Sequence, residues 1–517
     1  MNAGLRRRPA RHTRVTPGPR LHDRNTGVLS CEPSGSTRGV RPVRTMHLGV
    51  FEVAAPQVGG TLSWSHPYSD SVHHREIQHW IDVAQLLEAA GFDFLFFADG
   101  YGYPTVGGDL PAAAAAGGLN FTGLDPMLLI PTLAHHTSSL GFVVTSSTGI
   151  DHPVAMARRF ATLDHLTHGR VGWNIVTGAS QDTVAGLFGH SEMTAHDTRY
   201  EIAEEYVDLA LQLWEGCWED DALVEDKAAG VFADRDKLHR VEHVGKHFRS
   251  SGFFTVVPSP QRTPVLFQAG TSTRGREFAA GQAECVFLQG TTLPHAAANV
   301  ADIRARAAAA GRDPRSVKVL VGATVTVAAT HDEALARRRE FEDMQTDEVA
   351  AVIYAGNTGI DLSALDPDRP LSQIHDEGAD GRIGQMGQSN IDRFKRPDGT
   401  WPLVRDVLAE LRGRGTRGFT VVGDPIEVAD RLEEIMDVTD VDGFLLEAIF
   451  SPSDHRLFCD LVVPELRRRG RLIAEEDRPA GSGSLRERFG APSPRLSPDH
   501  PGARYAPGSP LREPAGA

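Results

Sequence analysis

The sequence predicts an α/β protein whose eight parallel strands alternate with helices and close into a TIM-type (β/α)8 barrel. Three observations carry that prediction. Short apolar runs alternate with amphipathic helical stretches from residue 46 to residue 472, an order that demands parallel pairing through right-handed crossovers. Eight such runs can be counted, the number that closes a barrel of this kind. The alternative is a doubly wound open sheet, but no GxGxxG follows the first strand and no GxxxxGK with a following Ser or Thr occurs anywhere, so the barrel is favoured.

The first run, MHLGVFEV (46–53), is strand-like. A helix follows at about 74–90, with Ile77, Ile81, Ala84 and Leu87 at helical spacing and Gly91 just past its end. FDFLFFAD (92–99) is almost wholly apolar, as expected of a strand covered on both faces. Asp125 and Pro126 mark a helix start, the Asp as cap and the Pro in the first turn. Then come the strand 141–148, a helix at 153–168, the strand 171–178 and a helix at about 198–217. Strands at 264–270, 285–290 and 317–327 follow, with helical segments between them. A helix at 425–437, the strand 442–448 and a helix through 455–469 complete the series. Insertions near 218–262 and 345–420 interrupt it, the second polar and Gly-rich.

The barrel is thus expected over 46–472. Residues 1–45, rich in Arg, Pro, Ser and Gly, read as a disordered extension, and Met46 is a candidate start. Residues 473–517 share that composition and read as a disordered tail. A formal net charge of -15 argues against nucleic acid or an anionic membrane as partner, and no apolar run is long enough to span a bilayer. The four cysteines form no CxxC pair, which argues against a disulfide framework and a thiolate zinc site and suits a reducing, cytoplasmic setting. The acidic charge balance modestly favours a small-molecule enzyme.

In such barrels the site lies at the C-terminal ends of the strands. Those ends carry Asp99, Thr145 to Thr148, Asn174 with Thr177, Gly270 to Ser272, Gln289 and Glu447. Loops begin there in any protein, so polar residues alone leave a purely structural explanation open. AGTSTRGREFAA (269–280) is more specific: hydroxyls of Thr271 and Ser272 precede a helix, whose first N–H groups form a ready phosphate cradle, with Arg274 and Arg276 as added positive charge. An ordinary helix N-cap explains the same residues. His196 and Tyr200, four apart at a helix start, can face one side and hydrogen-bond a phosphate or a ring substituent; a structural histidine is the alternative. His135, His136, His165 and His168 lack the partners of a metal-ligand set, so no metal is expected. His73 and His74 are expected at the surface.

The run HPVAMARRFATLDHLTHGRVGWNIVTG (152–178), with GFDFLFFADG (91–100), HDTRYEIAEEYVDLALQLWEG (196–216), QAGTSTRGREFAA (268–280) and GDPIEVADRLEEI (423–435), resembles the two-component FMN-dependent monooxygenases of the bacterial luciferase-like superfamily. The likeness, to the group acting on nitrilotriacetate, dibenzothiophene sulfone and long-chain alkanes, covers roughly 46–472. It implies FMN bound as FMNH2 and delivered by a separate NAD(P)H-dependent flavin reductase. O2 would be the co-substrate, a flavin C4a-peroxide the oxidant and a small organic molecule the acceptor, in a homodimer or homotetramer. By the same resemblance Asp99, Thr145, His196, Tyr200, Thr271 and Ser272 bind the cofactor. His152 and Asn174 are the catalytic candidates, Asn174 near the ring and His152 over the substrate pocket. Ile150–Asp151 and Gly178 depart from the family pattern, where Tyr and Ser are common. A deazaflavin-dependent hydride transfer on the same barrel is the alternative activity, with a hydrolase using Asp99 and Glu447 behind it.

Overall fold

The computed structural model of the chain describes residues 44–509 except 57–60, 106–108, 179–180, 193, 271, 291, 359, 378–390, 392–393, 397, 415–417 and 474–482. Thr271 and the extension before residue 44 therefore lie outside the described residues. All eight expected strands are present: β1 (His47–Val53), β2 (Phe94–Ala98), β3 (Gly141–Ser147), β4 (Val171–Val176), β5 (Val265–Gln268), β6 (Cys285–Leu288), β7 (Lys318–Val327) and β8 (Gly443–Glu447). Each pairs in parallel with the next. β8 returns to β1 with His47 opposite Gly443, so the barrel is closed.

Period-two alternation divides the strand residues between two cores. Phe51, Phe94, Phe96, Val143, Phe267, Phe287, Leu320 and Leu445 fill the interior. Leu48, Leu95, Val144, Trp173, Leu266 and Val321 face outward against the helices. Strands covered on both faces read as unbroken apolar runs, which is why they were legible. The helix Ile77–Ala89 buries Trp80, Ile81, Ala84 and Leu87. The side chain of Asp125 accepts from Met127 N at 2.9 Å, capping a short turn ahead of the helix Ile130–His135. His74 departs from expectation: it is buried, its ring nitrogen Nδ1 3.1 Å from Ser71 O. No helix among the described residues is long and apolar enough to cross a membrane.

The two insertions are ordered differently. Between Trp218 and Arg262 lie two antiparallel hairpins, Leu223–Asp226 with Val231–Ala233 and Val241–Val244 with Arg249–Gly252. The second insertion, polar in composition, forms the helices Asp347–Thr358, Leu371–Glu377 and Val404–Arg414 around its own core of Tyr354, Leu362, Ile374, Phe394, Val404 and Leu411. It ends in an unforeseen ninth parallel strand, Phe419–Gly423, laid on the upper half of β7.

Residues 483–509 correct the expectation of a disordered tail. They form an anchored strap across the base of the barrel. Leu485 and Phe489 join the interior core beside Phe94 and Phe267. The space exists because Gly141 and Gly172 lack side chains: a Cβ on either would lie 2.5 Å or 3.2 Å from the Leu485 methyls. Arg486 forks onto Glu284 at 2.6 and 2.9 Å and donates to Thr263 O at 3.0 Å. Arg488 donates to Phe92 O, and Arg495 meets Glu215 and Asp220. Burial would raise the Glu284 carboxyl, but the Arg486 guanidinium holds it below its usual range. Composition alone hid this segment because Arg, Pro and Gly also make linkers.

Candidate functional site

The C-terminal ends of β2, β3, β4 and β5 are neighbours, so they form one arc of the barrel rim. Thr145 and Asn174 stand opposite each other in register at inward positions. The Thr145 hydroxyl donates to Phe97 O at 3.0 Å and accepts from Asn174 Nδ2 at 2.9 Å. That chain fixes the amide, yet Asn174 Oδ1 is buried with no hydrogen-bond partner among the described residues. A buried acceptor left unmatched costs on the order of 1–3 kcal/mol, and a bound molecule carrying an N–H would remove that cost.

Asp99 directly follows β2, and its Oδ1 accepts from Gly100 N at 2.8 Å. Burial, with Asp125 nearby, pushes its carboxyl up to about 6 despite the Gly100 bond. Its proton therefore comes off closer to neutrality than that of an ordinary carboxyl.

The cradle assembles around the helix Thr273–Gln282. Ser272 caps it, its Oγ accepting from Gly275 N at 3.0 Å. Tyr200, buried on the helix His196–Gly216, packs edge-on against Phe278 with centroids 5.8 Å apart. This packing brings its hydroxyl close to Gly275, where a Cβ would lie 2.8 Å from Tyr200 Oη and 3.1 Å from Ser272 Oγ. Glycine is a poor residue for a helix. Here the missing side chain lets Tyr200 Oη, Ser272 Oγ and Gly270 Cα crowd close to the helix, which gathers two hydroxyls at its N-terminus, an arrangement that suits an anion. Gly275 was not singled out from the sequence, although a glycine in a first helical turn was the available signal.

His196 lies beside Tyr200, ring centroids 5.1 Å apart, its Nδ1 2.8 Å from Asp197 Oδ1. The expected cationic support is otherwise engaged: Arg274 pairs with Glu204 at 2.7 Å and Arg276 with Asp302 at 2.5 Å. Gly178 has φ +94°, where a side chain would be strained, and its carbonyl accepts from Arg199 at 3.3 Å.

His152 lies in the loop that follows β3. It is exposed and caps the helix Pro153–Leu166, with Nδ1 accepting from Val154 N at 3.3 Å and its ring edge-on to Phe248 of the first insertion. The carboxylates weighed as a hydrolytic pair, Asp99 and Glu447, lie at the ends of β2 and β8, with β1 between those strands. Sequence reasoning also passed over a buried network at the ends of β1 and β8, where Glu52 accepts from Ser451 Oγ at 2.9 Å and lies 2.7 Å from His455 Nε2.

Residues 57–440 match the luciferase-like monooxygenase family. The chain is 38% identical over 459 residues to the dimethyl-sulfide monooxygenase of Hyphomicrobium sulfonivorans, covering 89% of this chain and 93% of that protein. It is 37% identical over 465 residues to the long-chain alkane monooxygenase of Geobacillus thermodenitrificans (strain NG80-2), covering 89% and 98%. Among solved structures, a riboflavin lyase with modified FMN and riboflavin superposes with a TM-score of 0.83 at 41% identity, covering 90% of this chain and all of that one (100%).

Proposed function

The chain belongs to the luciferase-like monooxygenase family, and within it we propose that it binds reduced FMN on the β2–β5 arc and, with O2, oxygenates a small organic substrate. The cluster beside Gly275, where Tyr200 Oη and Ser272 Oγ meet a helix N-terminus, is the observation that supports this most. Its two hydroxyls and the free N–H groups of a helix N-terminus suit a phosphate monoester. In this reading Thr271 belongs to the same segment and His196 braces Tyr200. Asn174 Oδ1 would hold the ring system by accepting an N–H from it, with Thr145 keeping the amide in place and Asp99 available at its edge.

Reduced FMN, when bound, supplies the two electrons with which one oxygen atom of O2 becomes water while the other enters the substrate. The protein's share is placement and exclusion of water. The aromatic interior closes the barrel below the site. Above it, the helix Ala112–Gly117 packs on Asp347–Thr358 of the second insertion through Ala114, Leu119, Val349 and Ile353. His152 Nδ1 is taken by its capping bond, so only Nε2 is left to meet a substrate at the rim. Electrons come from a separate NAD(P)H-dependent flavin reductase, consistent with the lack of a dinucleotide fingerprint after β1.

Purified protein supplied with FMN, NADH, a flavin reductase and 18O2 should place one 18O atom in product from an accepted sulfide, alkane or aromatic substrate. Failure to bind reduced FMN would remove the proposal.

A further inference from the structure

Beyond Asp99, the loop after β2 and the helix Gln181–Leu187 after β4 bring aromatic rings together at the mouth. Tyr101 and Phe188 meet edge-to-face with centroids 5.2 Å apart, and Tyr103 and Phe121 do so at 6.4 Å. The two segments are tied by Thr183 Oγ1 donating to Tyr103 O at 3.5 Å. Tyr101 is 53% exposed, Phe121 and Phe188 each 44%, and Leu187 60%. Apolar side chains gathered and exposed in this way mark a binding surface rather than scattered surface residues. The charge around them is mainly negative. Burial raises the Tyr101 hydroxyl above its ordinary range, and the carboxylates of Asp99, Asp151 and Asp125 raise it further, with only Arg159 opposing. Arg159 is itself paired with Asp151.

We propose that this rim is a slot for a planar aromatic substrate that carries no negative charge, walled by the Tyr101–Phe188 and Tyr103–Phe121 pairs. The proposal rests on the reading that the β2–β5 arc holds the flavin, and it names the substrate class that the slot presents to it. Edge-to-face ring pairs offer flat walls to a stacked ring. With Asp151 paired to Arg159, Asp99 and Asp125 leave the mouth net negative, which disfavours anions and tolerates neutral or cationic ligands. Aliphatic polycarboxylates are therefore excluded as substrates, and flat heteroaromatics are admitted.

Three probes on one ring system separate shape from charge: acridine (neutral at pH 8), 9-aminoacridine (a cation) and acridine-9-carboxylate (an anion). Their binding to the full chain, by fluorescence titration with and without FMN, should favour the first two at least tenfold over the anion. Tyr101→Ala with Phe188→Ala should weaken acridine about tenfold while FMN affinity stays unchanged; Tyr101→Leu with Phe188→Leu serves as a second variant that keeps the bulk. Asp125→Asn with Asp151→Asn should narrow the preference against the anion. Equal binding of all three probes, or acridine binding indifferent to the ring substitutions, overturns the proposal. So does a change of oligomeric state in those variants with acridine binding intact, because the rings would then belong to a contact between copies. Should FMN fail to bind while the acridines still discriminate, the slot stands and the flavin reading falls.

Discussion

At the mouth of the barrel, Asn174 Oδ1 is buried without a partner among the described residues, Tyr200 Oη and Ser272 Oγ gather beside Gly275, and Tyr101, Phe121 and Phe188 expose their rings. At the base, the chain supplies what its own cavity needs: Leu485 and Phe489 enter the space above Gly141 and Gly172, and Arg486 spends its fork on Glu284. One end is finished by the protein and the other is left for ligands. Substitutions at the base should therefore move stability and spare binding, and substitutions at the mouth should do the reverse.

The largest effect belongs to the buried ion pair. Arg486→Met leaves Glu284 charged without its partner and should cost about 4 kcal/mol, the usual loss when one member of such a pair is removed. Urea denaturation measures it. Glu284→Met together with Arg486→Met should recover most of that loss, since an apolar pair of similar volume needs no desolvation of charge. A somewhat smaller effect is expected in acid. Burial, with Arg312 adding repulsion, lowers the His500 imidazole from 6.5 to about 4, so the folded state holds it neutral. The unfolded chain takes up a proton first as pH falls below 6.5, and stability is lost down to about 4, by about 3 kcal/mol in all. Protection factors within 483–509, corrected for the pH dependence of intrinsic exchange, should fall at pH 5 relative to pH 7.5, and His500→Gln should remove the His500 share of that fall.

The two ends also differed in how far they could be read from the sequence. The eight strands and the cap at Asp125 were legible because each is a local pattern of apolar runs and turn residues. The cradle was half legible. Ser272 announces a helix N-cap, but the importance of Gly275 depends on Tyr200, which a different helix brings to it. The strap at 483–509 was invisible because its anchors are arginines whose partners, Glu284 and Glu215, lie far away in sequence. The matching signal was at the other side of the contact, where Gly141 and Gly172 begin two buried strands and leave unfilled space. The helices between 347 and 414 were missed for a related reason: the few apolar residues in a polar stretch pack mainly on one another.

At the mouth the expected changes are in affinity. Asp99 sits near the midpoint of its titration at about pH 6. Ionisation above that value places a negative charge beside a cofactor that is itself an anion, so affinity for FMN should fall as pH rises through 6. Asp99→Asn should abolish that inflection and leave the part due to the phosphate.

The most direct test of the account is anaerobic titration of reduced FMN into the wild-type chain and into Ser272→Ala with Tyr200→Phe, with thermal unfolding followed in parallel. The expected result is at least a tenfold loss of affinity, the loss of about 1.4 kcal/mol or more of hydrogen bonding, with a Tm within about 3 °C of wild type. Unchanged affinity, or a loss of affinity that merely follows a loss of stability, would contradict the placement of the cofactor phosphate at the hydroxyl cluster beside Gly275.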